Sequence, residues 1–191
     1  MGLSDCQLCP SLLAKHDPEE GPVAPLVGKG YRAGGICMVF DQPRHWDAVR
    51  GIMLGGRPGA AFDELVEEAG LSRADLFLTN SIRHRAPNGR IQDYPEALFA
   101  CAAWTKWEME AYQPGLVIAM GRVALQSVFG KEASVGSMRG TFTPLPAKHE
   151  WGQRPVMATY NPDAAQFDES VRGLIVQDLK AAKRMWTELS R

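Results

Sequence analysis

Residues 76–90 read "LFLTNSIRHRAPNGR", and the two halves differ in kind. LFLTN (76–80) is a short, nearly continuous apolar run that closes on polar residues. That is the pattern of a strand buried on both faces. The second half carries Arg83, Arg85 and Arg90, with no acid between positions 83 and 90. His84 stands in its middle, just past the expected strand end. The strand reading extends to three more runs of the same character, ICMVF (36–40), GLVIAMG (115–121) and PVMATY (155–160). Helical patterns lie between and after them. GAAFDELVEEAG (59–70) places Ala61, Leu65, Val66 and Ala69 on one stripe. YPEALFACAAWTKWEMEAY (94–112) has Pro95 in its first turn, and RVALQSVFG (122–130) ends in glycine. SVRGLIVQDLKAAKRMWTEL (170–189) follows the last strand.

Strands alternating with helices predict an α/β fold. We expect a three-layer α/β/α sandwich around a central, mainly parallel four-stranded sheet. Residues 1–191 are expected to form one domain, with 1–35 as a Gly/Pro-rich leader. The long irregular pieces are 41–58, 81–93, 131–154 and 161–169, and three of them begin where a strand ends. Open parallel sheets bind ligands at the carboxyl ends of their strands. FDQPRHW, TNSIRHR and TYNPDAAQF are therefore expected to meet at one cleft.

The formal net charge of -1 excludes attraction of a polyanion by whole-molecule charge, so only a local patch could do that. No run of 18 apolar residues predicts a membrane span, and MGLSDCQLCPSLL lacks the basic start and long apolar core of a secretion signal. The chain is expected to be cytoplasmic, where four cysteines do not ordinarily form disulfides. Cys6 and Cys9 form CQLC, which by itself fits a redox pair, a metal site or chance. Cys37 falls inside a strand and reads as a buried thiol, while Cys101 falls in a helical pattern. No GxGxxG follows the first strand, so no nucleotide cofactor is expected. No heptad is present, and a monomer is expected.

Taken in order, these segments resemble the uracil-DNA glycosylase superfamily, and within it the iron–sulfur branch of family 4 and uracil-crosslinking types. CQLC is similar to that branch's first paired cysteines. GGRPGAAFDELVEEAGLSRADLFLTN resembles its glycine-flanked helix and its strand ending in Thr-Asn. RHRAPNGR stands where the family usually has Lys-Cys-Arg-Pro-Pro-Asn-Asn-Arg, and PVMATYNP where it usually has Thr-Tyr-His-Pro. LVIAMGRVALQSVFG and MRGTF are similar to its third strand and the loop beyond. The resemblance implies a four-iron four-sulfur cluster on Cys6, Cys9, His84 and Cys101, with His84 in place of a cysteine. Zinc is the alternative, since three cysteines and a histidine are a common tetrahedral set. It further implies that Arg83, Arg85, Arg90 and Arg139 face DNA phosphates.

Base excision breaks the C1'–N bond of a flipped-out nucleotide through a cationic sugar and a departing base anion. The resemblance assigns Asp41 and Gln42 of FDQPR to water and charge at C1'. Asn161, at the usual histidine, would stabilise the leaving base, and Asn80 would read a pyrimidine edge. Asn80 also fits a turn asparagine, and Asp41 a solvated loop start. Phe40 and Arg44 replace the two glycines that usually flank the first motif, and Leu54 replaces a stacking phenylalanine. These departures predict a pocket larger than, or differently polar from, a strict uracil site. It would suit 5-substituted pyrimidines such as hydroxymethylated or glucosylated cytosine in phage DNA. Phe167 reads as an intercalating wedge or as edge packing. Neither catalytic motif has a lysine, so a monofunctional glycosylase is expected. A catalytically weak DNA-binding or damage-sensing module on the same fold is the alternative.

Overall fold

The computed structural model describes residues 6–15, 25–30 and 34–191. Its sheet has five strands among these residues, β1 (Ile36–Phe40), β2 (Leu76–Asn80), β3 (Leu116–Met120), β4 (Phe142–Pro144) and β5 (Pro155–Thr159). The spatial order is β2-β1-β3-β5-β4. The four expected strands are present and mutually parallel. The expected count of four is corrected by β4, which pairs antiparallel with β5. This strand is three residues long, ends on Pro144 and is nowhere fully buried. It therefore carries no apolar run, and proline at its end suits an edge.

Alternation within each strand sorts the core into two layers. Ile36, Met38 and Phe40 point to one face with Leu76, Leu78, Leu116 and Ile118. That face is covered by α3 (Gly56–Glu68) through Phe62, Leu65 and Val66, and by α7 (Glu169–Leu189) through Ile175, Val176 and Leu179. Cys37, Val39, Phe77, Val117 and Ala119 point the other way. They meet Met109 of α4 (Glu96–Tyr112), Leu125 and Val128 of α5 (Arg122–Phe129), and Val135 of α6 (Val135–Met138). The split follows from chirality. The chain moves from β1 outward to β2, then back past β1 to β3. Right-handed crossovers in opposite directions put α3 on one face and α4 on the other.

This reversal makes the gap between β1 and β3 the switch point of the sheet. The register sets Phe40 level with both Asn80 and Met120, and Met120 level with Thr159. Four strand ends therefore finish on one line, and the residues just beyond them are neighbours. Two short helices absent from the sequence reading also bear on the site. α1 (Pro10–Ala14) lies in the leader, and α2 (His45–Arg50) follows β1. Among the described residues, no helix is long and apolar enough to cross a membrane.

Candidate active site

Asp41 is the first residue beyond β1 and lies across the switch point from β3. Its Oδ1 accepts the Ala124 backbone N–H at 2.7 Å, in the first turn of α5. Its Oδ2 faces the Asn161 Nδ2 donor at 3.5 Å. Gly121, which starts that helix, makes the approach possible. Its φ is +115°, and a Cβ there would lie 2.7 Å from Asp41 Oδ2. Burial pushes the Asp41 carboxyl up, opposed by the backbone N–H of Ala124 and the Asn161 amide. The result is a carboxylate held in one place, with little water to support its charge.

Asn161 begins the short 3-10 turn Pro162–Gln166. Its Oδ1 accepts the Asp163 N–H at 3.0 Å. That bond settles which end of the amide faces the crevice, namely the Nδ2 donor beside Asp41. Asn80 ends β2 and is buried. Among the described residues its Nδ2 meets only the thioether of Met53, at 3.1 Å, and sulfur is a weak acceptor. Gln42 is fully engaged. It donates to Gly89 O at 2.7 Å and accepts from Ala86 N at 2.8 Å, tying the first loop to the 82–90 loop. Its amide is held by the backbone of that loop, and the residue also lines one pocket with Asn80 and Asn161.

Phe40, Leu54, Asn80, Asn161 and Arg44 line one pocket of about 20 Å³. These walls give no support to a larger pocket. Phe40 turns into the core, edge-on to Phe62 at 5.6 Å between centroids. Arg44 crosses to Asp163 and binds both of its carboxylate oxygens, with Nη2 2.6 Å from Oδ1. Leu54 fills the wall with φ +52°, a strained backbone for a bulky residue. Two neighbours hold it there. Arg73 donates to Leu54 O at 3.2 Å, and α3 has Gly59 where a Cβ would fall 1.8 Å from the same oxygen. The sequence reading missed Met53, Asp163 and Asp47, which line this pocket too. Asp163 stands 119 positions from Arg44, and no local pattern pairs them.

The arginines divide. Arg83 is corrected from a phosphate contact to an interior strut. It is buried and donates to Glu108 at 2.8 Å, to Thr105 at 3.1 Å and to Thr79. Glu108 also accepts from Thr79 Oγ1 at 2.6 Å and Gly28 N at 2.9 Å. Arg139 is likewise turned inward, clamping Asp178 of α7 with both nitrogens at 2.7 and 3.1 Å. Arg85 is half-buried, and Arg90 is exposed in a surface pair with Asp93. Phe167 stands 89 % exposed beside the Asn161 turn, so it packs on no edge.

Of the four expected cluster ligands, Cys6, Cys9 and Cys101 lie close to one another, and His84 is buried on the 82–101 segment. Cys9 and Leu12 pack with Ile82, Ala86, Ala97 and Cys101. The Ser11 hydroxyl donates to Glu96 and ties α1 to α4. Cys6, Cys9, His84 and Cys101 are all buried. Burial, with Cys101 and Cys6 close by, pushes the Cys9 thiol up to about 12. Burial raises Cys101 and lowers His84. Buried His84 Nδ1 has no hydrogen-bond partner. Among the described residues, no group of three or more His, Cys, Asp or Glu is arranged to hold a metal ion. The donor chemistry still fits a metal group. Thiols that resist ionisation alone become thiolates when a cation shares their pocket, and a neutral imidazole nitrogen without a hydrogen-bond partner keeps its lone pair for such a cation.

A buried carboxylate and two carboxamides are thus gathered at the switch point of an α/β sheet, where open sheets bind their ligands. Comparison with known proteins narrows the class. Residues 33–189 match the uracil DNA glycosylase superfamily. The chain is 29 % identical to the Type-4 uracil-DNA glycosylase of Thermotoga maritima over 182 residues, covering 93 % of this chain and 88 % of the relative. It is 28 % identical to the Type-4 enzyme of Saccharolobus solfataricus over 167 residues, or 83 % and 74 % of the two chains. The Type-5 uracil-DNA glycosylase of Thermus thermophilus is 29 % identical over 215 residues, or 96 % and 94 %. The chain belongs to the uracil DNA glycosylase superfamily and is a DNA glycosylase, a hydrolase of N-glycosyl bonds.

Proposed function

We propose that this glycosylase removes uracil from DNA by direct hydrolysis, without a covalent enzyme–sugar bond. The observation that carries the reading is that Asn80 and Asn161 line one small pocket, with Asp41 beside the Asn161 amide. Asn80 lacks a strong partner, so its amide is available to donate to O4 and accept from N3–H of the base. Asn161, with its oxygen tied down, presents a donor to O2, where negative charge grows as the base leaves. Ionised Asp41 offsets the positive sugar and orients the attacking water. No lysine lines the pocket, so no residue there offers an amine for a Schiff base. Exposed Phe167 would fill the gap that the flipped nucleotide leaves in the stack. Arg85 and Arg90 would meet phosphates, since a surface pair such as Arg90–Asp93 is easily exchanged.

Cys6, Cys9, His84 and Cys101 would hold an iron–sulfur cluster, with zinc as the alternative. When bound, such a group would serve as a structural tie between the leader and the 82–101 segment. The burial of all four donors and the orphaned His84 nitrogen support this. One observation favours a second reading, binding without release: the Arg44–Asp163 bridge narrows the pocket beside Asn161.

The test is base release from DNA carrying uracil, hypoxanthine, 5-hydroxymethyluracil, 5-hydroxymethylcytosine or its glucosylated form. Uracil release that is lost in Asp41→Ala and Asn161→Ala is the expected result. DNA binding with no release from any substrate would favour the second reading instead.

A further inference from the structure

Beside the base pocket lies an open groove of about 870 Å³, lined by Arg44–Asp47, Arg50, Arg57 and Gln166 among others. Arg44 and Asp47 line both spaces, so they form a shared wall. Trp46 is 57 % exposed in this groove. The Arg50 guanidinium lies 5.2 Å from its ring centroid, and His45 meets it edge-on at 4.9 Å. The local charge is positive. The Asp47 carboxylate is taken by Arg44 N at 3.2 Å and Gly55 N at 2.9 Å, and Arg44 is taken by Asp163. Among the described residues, no carboxylate pairs with exposed Arg50 or Arg57. An exposed indole with free guanidinium groups beside it is the chemistry that binds unpaired nucleotides, by stacking on the base and pairing with the phosphate.

We propose that this groove is a second nucleotide subsite. It takes the unpaired nucleotide next to the target, with its base on Trp46 and its phosphates on Arg50 and Arg57. The proposal rests on the glycosylase reading, which makes DNA the ligand. The groove volume lies in the range that encloses a small organic ligand of nucleotide size. A base inside a duplex is paired and stacked and cannot lie on an indole. The subsite therefore selects single-stranded DNA, or a duplex already opened beside the target.

The probe is an oligothymidylate without uracil, titrated into the full chain while tryptophan fluorescence is read at several salt concentrations. Uracil release from single-stranded and duplex oligonucleotides is measured alongside. Oligothymidylate is expected to quench the wild type. Trp46→Ala should lose most of that quenching and bind about tenfold more weakly, as loss of one stacked base implies. Its KM for single-stranded uracil DNA should rise more than its KM for duplex. Arg50→Ala with Arg57→Ala should flatten the slope of log K against log salt by about 1.4, two phosphates on a single strand. Wild-type binding and wild-type single-strand KM in Trp46→Ala would overturn the subsite. So would equal losses on single strands and duplexes. If the wild type released no uracil while the oligothymidylate signals behaved as described, the catalytic reading would fail and the subsite would stand.

Discussion

Replacing Arg83 with leucine separates a buried strut from a phosphate contact. The guanidinium is fully buried, and Glu108, its partner at 2.8 Å, is nearly so. Leucine would leave the Glu108 carboxylate in the interior with only the neutral donors Thr79 Oγ1 and Gly28 N. Breaking a buried pair from one side costs about 3–5 kcal/mol, because the remaining charge is uncompensated. In a chain of this size each kcal/mol moves Tm by roughly 2–4 °C, so Arg83→Leu should lower it by about 6–20 °C. The damage should reach function, because Thr79, which loses its Arg83 side-chain donor, precedes Asn80. Arg83→Leu with Glu108→Leu should recover most of the loss, since two apolar side chains leave no orphaned charge. The assay is thermal unfolding, with DNA affinity measured across a salt series. A Tm within about 2 °C of wild type, with a salt slope shallower by about 0.7–0.9, would refute the strut and return Arg83 to the phosphates.

The proposed role of Asp41 implies an acid limit on the reaction. Burial raises its folded-state pKa, so base release should rise with pH through a value above the ordinary carboxylate range. The same shift means that its contribution to stability is complete below the unfolded pKa and is lost as pH rises through the folded one. Asp41→Asn should therefore be inactive, yet no less stable than wild type at neutral pH. An active variant with an unchanged pH profile would sink the assignment. Arg44→Ala removes the fork across the pocket mouth. The Arg44–Asp163 pair is partly exposed, so stability should change by no more than about 1 kcal/mol, and single-turnover release should be up to about fivefold faster. A slower variant would mean that Arg44 acts on the substrate rather than as a barrier. Protein purified without oxygen should carry the visible absorbance of an iron–sulfur chromophore, weakened or lost in His84→Ala along with thermal stability. A colourless protein with one zinc per chain would decide for the alternative.

Much of the fold was legible because each central strand is buried on both sides and so spells an unbroken apolar run. LFLTN, ICMVF, LVIAM and VMAT could hardly be anything else between amphipathic helices. The edge strand Phe142–Pro144 was not legible, since three half-exposed residues leave no pattern. The meeting of Asp41, Asn80 and Asn161 could be anticipated, because loops after parallel strands must gather at one end of the sheet. The fate of individual side chains could not. A run of arginines after a strand looks alike whether it faces phosphate or the interior. Only the position of Glu108 on α4 draws Arg83 inside, and only Asp178 on α7 does the same for Arg139.

The closure of the pocket shows the same division most clearly. Losing two flanking glycines reads along the chain as added bulk and a reshaped floor. In three dimensions Phe40 follows the alternation of β1 into the core, and Arg44 reaches an aspartate 119 positions away. The order of elements, their layers and the cleft were determined by periodicity and chirality, which are local properties of the chain. Which charges are paired, which amide end faces the crevice and whether the pocket is open depend on contacts between distant segments. Those contacts exist only once the sheet has brought its strand ends together.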